Sequence, residues 1–422
     1  MSIAIGLALL GVALLLLRQP IIAVALVVAG AAQMLWGRGQ PADIAEDIWL
    51  ALDKELLVAI PLYVLCGQLI SRGATARLLV AIMEALTRRL SGGLGVAATL
   101  ACAVDAAISG SSVVTMLAIG SVMLPSLLHA GYDRRYALGT VMAGGTLGIV
   151  IPPSIPLIVY GLVTGTSIVS LFTAGIGPGL LLTFCFVVYG WWVNRHRPSL
   201  PFDPTLLRVA LRRGIWAVLM PVVLLGGLYG GFLSITESAA AALVYAAVIE
   251  LFVHRAIDGR ALRTAMLETA RIGGMLFPLL AIAMSLSRLA TEHGLPGALA
   301  ATILNWSDGS AVVFLIVVNA ILLLVGCFMT ADVAILLLAP LLAPLAAAHG
   351  VDKVLFGIVM VLNLEIGYLT PPVGMNLIVA AGAFRQPFGE LCRAALPFIA
   401  IMLGCLALVM WQPWIALGLV AG

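Results

Sequence analysis

Residues 110–161, GSSVVTMLAIGSVMLPSLLHAGYDRRYALGTVMAGGTLGIVIPPSIPLIVYG, have a counterpart later in the chain, and the pair decides the fold. Shifted by 219 positions, Met329–Ala380 aligns with this stretch without a gap. Pro125 falls on Pro344, Gly131 on Gly350, Asp133 on Asp352, Gly148 on Gly367, and Pro152–Pro153 on Pro371–Pro372. Arg134 meets Lys353 and Ser111 meets Thr330. Coincident Leu or Val would carry little weight in so apolar a chain. Coincident Pro, Gly and Asp set backbone shape, and one register for all of them marks an internal repeat.

Hydrophobic residues make up 63% of the 422 and charged residues 10%, with a mean hydropathy of +1.17. No soluble domain of this size buries so much apolar surface, so the composition indicates an all-α polytopic membrane protein. The six cysteines lie in or beside apolar runs without CxxC spacing and read as small core residues. The five histidines show no ligand spacing, which argues against a transition-metal site. The run Ile3–Leu17 lacks a basic leader and a small-x-small cleavage site and reads as a span.

A helix needs roughly 20 apolar residues to cross a bilayer. That rule predicts spans near 3–17, 20–36, 57–71, 136–160, 171–193, 215–232, 237–253, 273–290, 355–383 and 395–418. Leu94–Ser109 and Val113–Leu128 are shorter and flank Gly110-Ser111-Ser112; Ala311–Phe328 and Val333–Ala348 flank Met329-Thr330-Ala331 in the same way. They read as two re-entrant helical hairpins, or as two short tilted crossings each. With re-entrant hairpins, the 22 Lys and Arg sort into eighteen on one side against Arg38, Lys54, Arg288 and Lys353 on the other. Arg18, Arg72, Arg88, Arg134, Arg195, Arg255 and Arg385 mark successive loops of the richer side, which the positive-inside rule makes cytoplasmic. Both termini are then outside, and the two halves are inverted, the arrangement expected of inverted-repeat secondary transporters.

Between the halves, Asn194–Arg213 is a basic linker in which Asp203-Pro204 predicts the capped start of a short surface helix. Asp43–Glu55 and Asp258–Arg271 are amphipathic, with Ile44, Ile48 and Leu52 opposed by Asp43, Glu46, Asp47 and Lys54 in the first. They read as interfacial helices or as arms bracing a moving unit. The organisation is therefore scaffold and arm over 1–90, hairpin and broken helix over 91–170, a connecting span and linker over 171–214. The second scaffold covers 215–305, the second hairpin and broken helix 306–392, and a last span 393–422.

Each half carries Gly-x-x-x-Pro-Pro inside an apolar span. Proline has no N–H and clashes with the carbonyl four residues back, so Pro152 and Pro153 free the carbonyls of Gly148 and Ile149. Pro371 and Pro372 free those of Gly367 and Tyr368. Bare carbonyls in hydrocarbon cost several kcal/mol each. A dehydrated Na⁺ would satisfy them, as would water or a Ser/Thr hydroxyl. The hairpin tips supply Ser109, Gly110, Ser111, Ser112 and Thr115, then Thr330 and Asp332, beside half-helix N-termini that favour a carboxylate. Asp105, Glu237, Asp332 and Glu365 are the acids read at membrane depth, with Asp332 and Glu365 the preferred cation-side carboxylates. Thr146, Ser154, Thr370 and Asn376 complete the polar set, and Ser112, Thr146, Ser154, Thr330 and Asn376 are the candidate substrate contacts.

SGSSVVTMLAIGSVMLP, GYDRRYALG, GGTLGIVIPPSIPLIVYG, GGLYGGFLSITESAAAALVY and LEIGYLTPPVGMNLIVAAG together resemble the large membrane (M) subunit of tripartite ATP-independent periplasmic (TRAP) transporters. The resemblance runs from about residue 3 to 418. It implies a Na⁺-coupled elevator transporter of the bacterial inner membrane, importing an organic acid, with no cofactor beyond the coupling ion. It also implies two partners: a periplasmic binding protein that delivers the substrate, and a small four-span subunit on another polypeptide. The family's sodium sites map onto Ser109–Ser112, Gly148, Pro152, Asp332, Gly367, Thr370 and Pro371. Asp105 departs from the small or apolar residues of the family pattern.

Moving one charge through 100 mV is worth about 2.3 kcal/mol, so importing a dicarboxylate against roughly 150 mV costs about 7 kcal/mol. Two Na⁺ cancel that electrical term, which makes two the minimum expected. The other readings are an anion transporter working without a binding protein, a channel, and an intramembrane hydrolase using Ser111 or Ser112 with Asp332. No histidine lies near a tip to serve as general base, and polar residues gathered at two breaks suit a closed site better than a pore.

Overall fold

The computed structural model describes residues 2–17, 19–36, 41–294, 297–298, 301 and 310–420. Arg18, Arg38, the side chains at 43, 44 and 47, and the boundary at 305/306 lie outside the described residues.

The chain forms α1 (Ser2–Leu16), α2 (Ile21–Leu35), α3 (Pro41–Leu52), α4 (Ala59–Arg72), α5 (Thr75–Thr87), α6 (Gly93–Ser109), α7 (Ser112–His129), α8 (Arg134–Val150) and α9 (Ile155–Thr164). After these come α10 (Ile168–Asn194), α11 (Pro204–Tyr229), α12 (Ile235–Val248), α13 (Gly259–Glu292), α14 (Ala311–Phe328), α15 (Ala331–Ala348), α16 (Lys353–Tyr368), α17 (Met375–Phe384) and α18 (Phe388–Trp411). Among the described residues there is no β-strand, and ten helical stretches are long and apolar enough to cross a bilayer.

The repeat is written into these boundaries. Displaced by 219, α7 becomes α15 residue for residue, and α6, α8 and α9 land within a residue or so of α14, α16 and α17. The local chemistry recurs with them. Asp133 accepts from the N–H of Tyr136 at 2.9 Å and starts α8; Asp352 accepts from Val354 and Leu355 at 2.8 and 3.0 Å and starts α16. Gly131 and Gly350, at φ 75° and 76°, make the left-handed turn before each cap.

Contacts show how the copies are set against each other. Arg134, opening α8, bonds Gln386 and lies 3.6 Å from Glu390, just past the end of α17. The Tyr160 hydroxyl on α9 donates to the Lys353 carbonyl, opening α16, at 2.8 Å. The start of each broken helix thus sits beside the end of the other, as in an inverted pair. α7 packs on α17 and α15 on α9, exchanging partners across the pseudo-twofold. α8 is the central strut, buried on every side from Tyr136 to Val150. Its glycines set the approach: a Cβ on Gly144 would lie 2.6 Å from Cys102 Sγ, and one on Gly145 2.6 Å from Met116 Cβ.

Two expected boundaries differ. The short helix predicted after Asp203 is the first part of α11, which runs on through Gly214 into the next span. Gly214 packs against Ile82 and Leu78 of α5, and nothing between Arg213 and Ile215 breaks the helix. Asp258–Arg271 likewise continues into the predicted span at 273–290 as the 34-residue α13. In the first half the equivalent join is interrupted, because Lys54 is extended and a 3-10 turn, Glu55–Val58, precedes α4.

Glu250, in a π-helical turn after α12, is fully buried. Its carboxylate accepts from the N–H groups of Ala74 and Thr75 at 2.8 and 2.9 Å and from the Thr75 hydroxyl at 2.5 Å. This pins the turn between α4 and α5 by capping α5 with a charge. A related joint lies one repeat away, where His293 Nε2 bonds the Trp36 carbonyl at 2.8 Å and the two rings stack at 5.5 Å. Replacing Glu250 by Ala strands two N–H groups, an expected cost on the order of 3 kcal/mol. Thermal unfolding in detergent should show a midpoint several degrees lower, with Glu250→Gln intermediate.

Candidate transport site

In the first half α8 stops at Val150, the Pro152–Pro153 bond is cis, and α9 resumes at Ile155. The Ser154 hydroxyl donates to the freed carbonyl of Ile149 at 2.6 Å and accepts from the N–H of Leu157 at 3.4 Å. One of the two orphaned carbonyls is therefore repaired locally. The other, on Gly148, receives no hydrogen bond from a described residue. The first hairpin ends on this break. Gly110, at φ 62°, turns the tip, and a Cβ there would meet the Pro153 carbonyl at 2.9 Å. A Cβ on Gly148 would lie 2.6 Å from the Ser111 carbonyl and 3.0 Å from the Thr115 hydroxyl. Ser109 and Thr115 share a buried hydroxyl contact of 2.6 Å.

The second half repeats the plan with other partners. Pro371–Pro372 is also cis. The Thr370 N–H donates to the Gly367 carbonyl at 3.0 Å and its hydroxyl to the Ile366 carbonyl at 2.8 Å, leaving the Tyr368 carbonyl without a described donor. Gly367 packs directly on Gly326, the Gly374 N–H donates to the Cys327 carbonyl at 2.9 Å, and the tip again seats on the break. The Tyr368 hydroxyl accepts from the Ala331 N–H at 2.6 Å, capping α15. The breaks differ in access: Pro152 and Pro153 are buried, whereas Pro371 and Pro372 are exposed.

A polar chain joins the halves at their centre. The Ser112 hydroxyl donates to Glu365 Oε1 at 2.5 Å and accepts from Asn376 Nδ2 at 2.7 Å. All three are buried, and Asp332 lies within electrostatic reach of Glu365 and Tyr368. Glu365 Oε2, Asp332 Oδ1 and Asn376 Oδ1 are buried without partners and remain able to bind.

Of the predicted residues, the structure gathers Ser109, Gly110, Ser111, Gly148, Pro152, Pro153 and Ser154 at the first break. It gathers Gly367, Thr370, Pro371 and Pro372 at the second, with Ser112, Glu365, Asn376 and Asp332 between. Thr330 starts α15 but makes no side-chain cap. Thr146 spends its hydroxyl on the Ala143 carbonyl and faces Met402, not the Ser112 chain. Glu237 forms an exposed capping box with Ser234 and stands apart from the site. The Tyr368 hydroxyl, unlike its carbonyl, was not singled out from sequence, although an aromatic hydroxyl two residues before Thr370-Pro371 was a usable signal.

Over residues 9–415 the chain matches the family model described as tripartite ATP-independent periplasmic transporter, DctM component. The chain belongs to this family. This TRAP permease is 38% identical over 384 residues to the C4-dicarboxylate TRAP transporter large permease protein DctM of Pseudomonas aeruginosa, covering 89% of each chain. It is 33% identical over 395 residues to the ectoine TRAP transporter large permease protein TeaC of Halomonas elongata, covering 92% of each. It is 35% identical over 397 residues to the isethionate TRAP transporter permease protein DctMQ of Oleidesulfovibrio alaskensis, covering 93% of this chain and 62% of that one. The fold is similar to the crystal structure of the YdaH transporter of Alcanivorax borkumensis, with a TM-score of 0.64 at 16% identity over 89% and 88% of the two chains. The protein is a multi-pass membrane permease and not an enzyme, which sets the hydrolase reading aside.

Because Ser112 bonds both partners at once, Ser112→Ala and Asn376→Ala should be non-additive. A double-mutant cycle on thermal unfolding should return a coupling of about 0.5–3 kcal/mol. Simple additivity would show that the chain does not act as a unit.

Proposed function

We propose that this TRAP permease imports a small organic acid through the bacterial inner membrane, driven by Na⁺ bound at the two breaks. The observation carrying the proposal is the pair of carbonyls, Gly148 and Tyr368, each left without a donor at the break against which a hairpin tip is seated. Backbone and hydroxyl oxygens of this kind suit a hard monovalent cation. The acids support the same conclusion. Among the described residues no basic side chain is paired with Glu365 or Asp332, so an anionic substrate needs cations beside it. Relatives named as C4-dicarboxylate, isethionate and ectoine transporter permeases support a small organic cargo.

The hairpins are re-entrant in this reading, because both arms end at a tip seated on a break inside the protein. The moving unit comprises the hairpins and broken helices, and the remaining helices form the frame of an elevator. One break buried and the other exposed suits access from one side at a time. The basic side faces the cytoplasm and both termini the periplasm. A periplasmic binding protein hands over the substrate, and a small four-span subunit completes the complex; the greater length of the DctMQ relative is what a fused small subunit would give. The second reading, an anion transporter needing no binding protein, is separated by omitting that protein.

In proteoliposomes holding the permease, its small subunit and the binding protein, labelled uptake should require Na⁺. Thr370→Ala and Ser111→Ala should each raise the half-saturating Na⁺ concentration roughly tenfold, equivalent to about 1.4 kcal/mol. Unchanged Na⁺ dependence in both would remove the breaks as the coupling site.

A further inference from the structure

Asp105 was not among the residues gathered at the first break, although the Ser109 and Thr115 hydroxyls near it border that break. It lies on α6 one helical turn before the tip residue Ser109, has no exposed surface, and among the described residues neither carboxylate oxygen has a hydrogen-bond partner. The groups facing it are Thr115 on α7, Cys66 on α4 and Cys102 on its own helix. α4 closes the wall tightly, since a Cβ on Gly67 would lie 2.9 Å from the Ser109 carbonyl. No Lys, Arg or His is among these groups. Thiols are weak donors, and a buried carboxylate without a counter-charge costs several kcal/mol. Across the pseudo-twofold the equivalent position is Leu324, which is 63% exposed, so this acid is private to the buried face of the first hairpin.

The surroundings supply what a cation would need. Ser109 Oγ and Thr115 Oγ1 lie 2.6 Å apart, one hydroxyl donating to the other, and each oxygen keeps a lone pair that a cation could use. Carboxylate and hydroxyl oxygens form a hard donor set, suited to an alkali cation rather than a soft metal. We propose that Asp105, with the hydroxyls of Ser109 and Thr115, binds a further Na⁺, beyond those at the two breaks. This rests on the Na⁺-coupled reading and raises the coupling number by one. Each cycle would then carry one more positive charge inward than the breaks alone provide, enough to move a dicarboxylate with net charge.

The test is equilibrium binding of ²²Na⁺ to the purified permease with its small subunit, paired with charge-to-substrate ratios in proteoliposomes that also hold the binding protein. The wild type should bind three Na⁺ per permease and Asp105→Asn two, with one charge fewer moved per substrate. Thr115→Val, which keeps the carboxylate and the shape, should raise the half-saturating concentration for the third ion about tenfold, and it serves where Asp105→Asn fails to fold. Two ions in both proteins would overturn the proposal. So would a charge ratio that falls in Asp105→Asn while the Na⁺ count holds, which would assign the position to a proton. No Na⁺ bound by the wild type would instead sink the coupled reading itself.

Discussion

A proline in the middle of an apolar helix removes one donor and displaces another carbonyl from its partner, and in a bilayer no bulk water makes up the loss. This protein accepts that cost twice, at Pro152–Pro153 and Pro371–Pro372, and the surrounding architecture follows from it. Part of the cost is repaired by short side chains, Ser154 bonding the Ile149 carbonyl and Thr370 the Ile366 carbonyl. A hairpin tip packs onto each break, yet among the described residues nothing donates to the Gly148 or Tyr368 carbonyl. Both Gly148 and Gly367 are glycine because backbone occupies the space where a side chain would begin. On the proposed reading, the free Gly148 and Tyr368 carbonyls are the ligands a desolvated ion would use.

The halves share a plan without sharing chemistry. Acids near the centre come from the second half, Asp332 and Glu365, and the first half meets Glu365 with the Ser112 hydroxyl. Asn376 bonds the same hydroxyl from α17, so a single serine ties the first hairpin to both segments flanking the second break. The tie between halves is polar and replaceable, which suits a place where a substrate must enter and leave.

Much of this was legible before any coordinates. Aligned Pro, Gly and Asp predicted the repeat because those residues dictate backbone shape locally, and the cap at Asp203 formed as its position implied, whereas those at Asp133 and Asp352 emerged only with the structure. What sequence did not reveal depends on partners distant along the chain. Glu250 looks like an ordinary polar residue at a span end, yet it is buried by the turn at Ala74 and Thr75, some 175 residues away. Tyr368 reads as an apolar aromatic until its hydroxyl is seen capping α15. The continuous helices α11 and α13 were missed for another reason: a change from polar to apolar composition marks the membrane surface but does not break hydrogen bonding along a helix.

The central claim is that the two breaks are cation sites, and direct imaging tests it most plainly. Structures of the complex at high resolution, one prepared in Na⁺ and one in choline, should differ at the Gly148 and Tyr368 carbonyls. The account predicts a compact density coordinated by oxygens at each break in Na⁺ and its loss in choline. Identical maps, with both carbonyls hydrogen-bonded to protein or water in each, would contradict it.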